Sequence, residues 1–187
     1  MSFANTRKFE VIFQKAKAQY PELEHTDINV TFHKGWFFTM QASIQITSLL
    51  SRKRKYKINV NSRRENILSQ LSDEDILGWF GHELAHIINY ERMSGPKFLM
   101  FTLRYILDFN FRFSVEKRVS AYAYNNGFAK ELFGVWKKFL VINKINKKYQ
   151  GYIIRNYAPS WKEIREAALQ EGITEETYQS LVTLHSF

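Results

Sequence analysis

Residues 82–86 read His82-Glu83-Leu84-Ala85-His86, and this segment decides how the surrounding chain is interpreted. On a helix, residues four positions apart lie about 40° apart around the axis and one turn apart along it. The imidazoles of His82 and His86 can therefore reach one metal ion from one helix face. Glu83 lies one position further round, within reach of a water molecule on that ion. A bound metal lowers the pKa of such a water towards about 7, so that a carboxylate can accept its proton.

The residues around this segment predict a long amphipathic helix. Ser72, with Asp75 three positions later, forms the capping-box arrangement that begins a helix. Apolar residues then recur with the helical period and predict the face turned towards the core, namely Ile76, Leu77, Phe80, Leu84, Ile87 and Ile88. We expect this helix to run to about Glu91, before the breaking residues 94–96.

The chain before this helix predicts an N-terminal helix and three short strands. Residues 3–20 carry a helical apolar stripe that Pro21 ends. Residues 28–32 alternate as a strand, and residues 36–46 are predicted to form its hairpin partner. Residues 56–60 form the third strand.

Downstream of the motif, the sequence predicts only helices. They cover residues 97–107 and 114–139, with two shorter helices beginning near Ser160 and Thr174. The predicted fold class is α+β, with one domain over residues 1–140 and a helical extension over residues 141–187 packed on it.

Composition restricts the metal chemistry and the compartment. The chain has 187 residues and no cysteine, which excludes disulfides and thiolate ligands, so His and carboxylate must bind any metal. Residues 1–22 mix charges with apolar positions and predict no signal peptide. The most apolar stretch, residues 98–113, is interrupted by charges and falls short of the roughly 18 apolar residues that a spanning helix needs. We expect a cytoplasmic protein.

The net charge of +9 favours anionic partners. It is diffuse except at residues 52–57 and at Arg63 and Arg64. These runs predict either solvated loops or contact with a polyanion. Residues 97–113 are aromatic-rich and cationic, and they predict either a core helix or a membrane-surface contact.

A metal site of this kind needs a third protein ligand. Arg92 occupies the position six residues after His86, where one class of metallopeptidase has a histidine, and no histidine follows until His185. Three carboxylates lie between His86 and residue 128, and they are Glu91, Asp108 and Glu116.

The HExxH pattern of residues 82–86 is the signature of zincin metallopeptidases. Residues 116–123 (EKRVSAYA) resemble the glutamate helix of the gluzincins, the thermolysin-like and CAAX prenyl endopeptidase-like families, in which a ligand Glu is followed four residues later by Asp. The resemblance covers residues 28–130. It implies a zincin-like fold with a small mixed sheet, an active-site helix and a glutamate helix.

The same resemblance implies the site and the reaction. One zinc ion per chain would be bound by His82, His86 and Glu116, and Glu83 would activate the metal-bound water to hydrolyse peptide bonds. Ser120 stands where the family has its Asp. A hydroxyl can accept the hydrogen bond of the first histidine ligand but carries no charge, so we expect a weaker zinc site.

Substrate binding is predicted at a strand edge. In zincins an extended peptide pairs with the strand beside the active-site helix. The sequence favours residues 56–61 as that edge, with the backbone of Asn59, Val60 and Asn61 aligning the peptide. A donor to the oxyanion is also needed, and five residues remain open as candidates: Tyr122, Tyr124, Tyr152, Arg155 and Tyr157.

Two other functions remain open. A SprT-like protease acting on DNA-associated protein is suggested by the basic run and by residues 94–98 (SGPKF), which resemble an HGPxF segment with Ser in place of the ligand His. An inactive pseudo-peptidase or interaction module with structural zinc is favoured by Ser120, whereas the intact Glu83 argues against it.

Overall fold

Helices pack against a small three-stranded sheet in this α+β fold. The computed structural model describes the backbone of residues 3–35 and 39–142, and the side chains of residues 6–35 and 39–135. The elements of this part are α1 (Phe3–Lys17), β1 (Asp27–His33), β2 (Met40–Ile44), β3 (Lys55–Asn61), α2 (Glu65–Leu68), α3 (Asp73–Glu91), α4 (Gly95–Leu107), α5 (Phe109–Ala123) and α6 (Ala129–Ile142). The helices predicted near Ser160 and Thr174 lie outside the described residues.

The sheet is mixed, with strand order β1-β3-β2. β1 runs parallel to β3, and β2 runs antiparallel to it. The predicted hairpin between residues 28–32 and 36–46 is therefore wrong, because β3 lies between those two strands. Tyr56, Ile58 and Val60 of β3 are fully buried, which suits a central strand better than an edge strand.

Helix α3 confirms the predicted motif helix. Ser72 Oγ accepts a hydrogen bond from the Asp75 backbone N–H at 3.2 Å, and Asp75 Oδ2 accepts one from the Ser72 N–H at 2.6 Å, which completes the capping box. The helix ends at Glu91 as expected. Five of the six predicted core positions are buried, and the sixth, Leu77, is half-buried.

Glycines let α3 approach its neighbours closely. A Cβ atom on Gly78 would lie 2.6 Å from the backbone carbon of Glu131 on α6, and one on Gly81 would lie 2.6 Å from the Phe128 ring. Such distances leave no room for a side chain. α3 therefore packs directly against α6, and it also contacts α1, α5 and β2.

The segment predicted as one helix over residues 114–139 is divided in two. A π-helical turn at Tyr124–Phe128 separates α5 from α6, and Gly127 has a φ of 85° within it. This left-handed conformation suits glycine because it has no Cβ. The continuous-helix prediction is wrong, because the backbone leaves helical geometry at Asn126 and Gly127. Phe128 then packs against Tyr20, with ring centroids 5.5 Å apart.

Among the helices in the described ranges, none combines the length and apolar character needed to cross a membrane.

Candidate metal centre

Two histidines project from the middle of α3 into the protein interior. His82 and His86 are 3% and 5% exposed, and their ring centroids lie 4.9 Å apart. Their one-turn separation on α3 places both Nε2 atoms towards α5.

Glu116 on α5 meets both histidines. Its Oε2 lies 3.2 Å from His82 Nε2 and 3.4 Å from His86 Nε2, and its side chain is 1% exposed. One ligand atom from each of the three residues lies within 4.8 Å of the others. In the part of the chain with described side chains, these three residues are the group of His, Asp and Glu placed to hold a metal ion.

The charges of this triad explain why it suits a cation. Burial alone would raise the pKa of Glu116, but the attraction of His86 and the hydrogen bonds from His82 and His86 outweigh it, so the pKa lies well below its usual range. Burial also opposes the charged form of His86, but the carboxylate of Glu116 outweighs it, so the pKa of His86 is raised above its usual value. A buried carboxylate is costly without a positive partner. A divalent cation among these ligands would supply that charge.

The ligand chemistry fits zinc. Two imidazole nitrogens and one carboxylate oxygen, supplied by three protein residues, form the ligand set of many catalytic zinc sites. His86 Nδ1 is buried and has no hydrogen-bond partner among the described residues. His82 Nδ1, by contrast, has a hydrogen-bond partner.

Ser120 lies behind His82, one turn after Glu116 on the same face of α5. Its Oγ is 3.2 Å from His82 Nδ1, and the residue is 1% exposed. A proton on Nδ1 directed to this hydroxyl leaves the Nε2 lone pair free for a metal. The structure thus brings Ser120 to the atom that the family resemblance implies, while its effect on the metal stays a prediction.

Tyr105 is a residue of the site that the sequence interpretation missed. Its hydroxyl on α4 donates a hydrogen bond to Glu116 Oε1, the carboxylate oxygen turned away from the histidines. The sequence of residues 97–113 predicts only a core helix or a membrane-surface contact. The Tyr105–Glu116 contact depends on the turn at Asp108 between α4 and α5, and no local sequence pattern gives the angle of that turn.

Glu83 lies on the side of α3 that faces the sheet. Its Oε2 accepts a hydrogen bond from the Ala42 backbone N–H at 2.6 Å, and the side chain is buried. Ala42 belongs to β2, so this contact shows that β2 is the strand beside the motif helix.

The predicted substrate edge is therefore corrected. Asn59, Val60 and Asn61 belong to β3, which pairs with β1 on one side and β2 on the other. Their backbone groups are used within the sheet and cannot align an added peptide strand. Alternation predicted the strand, but its position in the sheet depends on pairing partners far away in the sequence.

The oxyanion candidates are only partly described. The Tyr122 hydroxyl donates to Glu22 Oε1 at 2.5 Å and accepts a hydrogen bond from Arg92 at 3.5 Å, so it is engaged away from the triad. Tyr124 lies in the π-helical turn after α5. The other three, Tyr152, Arg155 and Tyr157, lie outside the described residues.

Tyr90 is a further hydroxyl near the triad. Its ring lies 5.9 Å from that of His86. Burial, followed by the nearby carboxylates of Glu83 and Glu116, raises the pKa of Tyr90 above its usual range. Tyr90 therefore stays protonated at neutral pH and can donate a hydrogen bond.

No protein-family model, no curated protein and no solved structure matches this chain. The functional interpretation therefore depends on the motif and on the site geometry.

Proposed function

We propose that this chain is a zinc-dependent endopeptidase of the gluzincin type. The observation that carries the proposal is the approach of Glu116, from a separate helix, to within 3.2 and 3.4 Å of the two motif histidines. Ser120 and Tyr105 then hold the outer atoms of two of these ligands. The α3 helix beside a small mixed sheet supports the zincin-like assignment.

The chain's own residues divide the chemical work. A zinc ion in this site would polarise both water and the carbonyl group of the substrate. Glu83 is the proposed general base that accepts a proton from the attacking water and passes it to the leaving amine. The hydrogen bond from Ala42 holds the Glu83 carboxylate between α3 and β2. Among the described hydroxyl groups, Tyr90 is the best placed to donate to a developing oxyanion, because the Tyr105 hydroxyl already donates to Glu116.

We propose β2, in place of β3, as the strand that receives the substrate. Two hydrogen bonds flank the β2–β3 pairing, one from Asn61 N–H to Thr39 O and one from Gln45 N–H to Lys55 O. They show that the backbone groups of the odd-numbered residues in 39–45 point towards β3. The backbone groups of Met40 and Ile44 and the Ala42 carbonyl therefore point to the opposite edge, where the Ala42 N–H already donates to Glu83. An extended peptide added there would lie next to Glu83.

The test compares metal content with hydrolysis. We expect the zinc-loaded chain to cleave casein or a peptide library, and Glu83→Gln to retain one zinc per chain while the rate falls by about 10²–10⁴-fold. His86→Ala should lose both metal and activity. Glu91→Gln replaces an exposed carboxylate on the same helix by a carboxamide. It is the matched control and should change neither the zinc content nor the rate of hydrolysis. Hydrolysis retained by Glu83→Gln would contradict the mechanism.

A zinc-binding module without peptidase activity is the second candidate. The specific observation in its favour is the neutral Ser120 at His82 Nδ1, where a carboxylate would strengthen the ligand. Stoichiometric zinc in wild type without cleavage of any library peptide would favour this second candidate over the first.

A further inference from the structure

Helix α4 exposes an unusual amount of apolar surface. Five of its residues are between 52% and 74% exposed: Leu99, Met100, Leu103, Ile106 and Leu107. At about 100° per residue, these five positions fall within an arc of roughly 120° on the helix. They therefore form one continuous apolar face, referred to below as the α4 outer face.

The opposite side of α4 already has its partners. Phe98 and Phe101 pack against Tyr90, with ring centroids 5.2 and 6.0 Å from it, and Tyr105 reaches Glu116. Core packing thus accounts for the inner side of the helix and leaves the outer face unexplained.

The apolar surface continues beyond the helix. Leu50 is 86% exposed and lies at the start of α4, where its Cδ2 would be 3.1 Å from a Cβ on Gly95. Ile46, in the turn that leads to Leu50, is 88% exposed. Phe109, just after α4, is 44% exposed.

Basic residues adjoin this surface. Residues 46–57 contain five Lys and Arg and no acidic residue. Arg52 and Lys53, which follow Leu50, are exposed. Lys97 and Arg104 fall next to one border of the α4 outer face, at about 100° per residue. The carboxylate of Asp108 offsets Arg104, at 3.3 Å.

We propose that the α4 outer face, together with Leu50, binds an anionic membrane surface. Monomeric proteins rarely expose apolar patches of this extent without a partner. An apolar helix face beside basic residues is typical of helices that lie in the plane of a lipid interface. A second copy of this chain would bring two basic borders together, whereas anionic lipid headgroups complement them. The proposal does not depend on the metal chemistry.

The test measures vesicle binding by the full chain. We expect it to sediment with vesicles of phosphatidylcholine and phosphatidylserine at least about tenfold more strongly than with phosphatidylcholine alone. The double variant Leu103→Glu, Ile106→Glu should lose that binding. Val11→Glu, at a position 50% exposed on α1, is the matched control and should keep it. Circular dichroism should show that all variants are folded.

Several outcomes would overturn the proposal. Either the wild type fails to bind the anionic vesicles, or it binds neutral vesicles equally well, or the double variant binds as strongly as the wild type. Self-association of the wild type that the double variant abolishes would assign the face to a second copy. A large loss of thermal stability in the double variant, with no vesicle binding by wild type, would mean that other residues of the chain cover the face.

Discussion

The three residues of the triad differ in their outer contacts. Glu116 is held by Tyr105, His82 is held by Ser120, and His86 Nδ1 has no partner among the described residues. Groups behind the ligands set their orientation and basicity, and losing one typically costs about 10–100-fold in affinity or activity. The strength of this metal site should therefore depend on Tyr105 and Ser120 individually.

Ser120→Ala should weaken zinc binding by about tenfold. The substitution removes the Ser120 oxygen that lies 3.2 Å from His82 Nδ1, so this contact no longer fixes the ring tautomer. Competition with a chelating dye measures the affinity. Ser114→Ala, an exposed position on the same helix, is the control and should leave it unchanged. Equal affinities for the two variants would mean that Ser120 only fills space.

Tyr105→Phe should also lower zinc affinity, by up to about tenfold, because Glu116 Oε1 loses its donor while the ring keeps its packing on Phe101. The control is Tyr122→Phe, whose hydroxyl contacts Glu22 in place of the triad. The same dye competition reports the result. If Tyr122→Phe weakens zinc binding and Tyr105→Phe does not, the assignment of the two tyrosines is wrong.

At the scale of elements, α3 connects the metal ligands to the sheet. Its histidines face α5, and Glu83 faces β2. Close packing of α3 on α6 depends on glycine, since a Cβ on Gly78 would lie 2.6 and 2.7 Å from the backbone atoms of Glu131 and Leu132. Backbone atoms cannot move aside as a flexible side chain can.

Gly78→Ala should therefore destabilise the protein by about 1–3 kcal/mol, the usual cost of overpacking. This loss should appear even though alanine is favoured over glycine in a helix by about 1 kcal/mol. Urea unfolding measures the change. Gly95→Ala is the matched control, since its nearest neighbour is the flexible end of Leu50, and its effect should stay within about 1 kcal/mol. A stabilising Gly78→Ala would refute the packing argument.

Local signals explain which elements the sequence could predict. The capping box at Ser72 and the apolar period of α3 depend on residues within a few turns, and both the start and the end of this helix were predicted. The order of strands depends on contacts far apart in the sequence, so the sequence wrongly predicts β3 as an edge strand. The break at Gly127 was missed because a single glycine does not interrupt a strong helical pattern.

The same distinction applies to the candidate site. The spacing of His82 and His86 follows from helix geometry and could be predicted from the motif alone. Glu116 came from a family resemblance, and the structure brings it to the histidines. Tyr105 could not be predicted, because its approach to Glu116 depends on the angle between two consecutive helices.

At the scale of the whole molecule, metal and folding should be coupled. The triad joins α3 to α5 in the interior, so a ligand that binds only the folded chain stabilises it. At free zinc about 100-fold above its dissociation constant, this linkage is worth about 2.7 kcal/mol.

Removing zinc with a chelator should consequently lower the Tm by roughly 5–10 °C, since about 1 kcal/mol corresponds to 2–4 °C for a chain of this size. Differential scanning calorimetry with and without zinc measures the shift. His86→Ala should show no shift on chelation, which separates the site from nonspecific metal effects. A wild-type Tm independent of zinc would contradict the coupling.

The most direct measurement is the anomalous scattering of zinc at its absorption edge, in crystals of the full chain grown with zinc. We expect one strong peak per chain, about 2.0–2.2 Å from His82 Nε2, His86 Nε2 and a carboxylate oxygen of Glu116. A peak bound by other residues, or none between these three side chains, would contradict it.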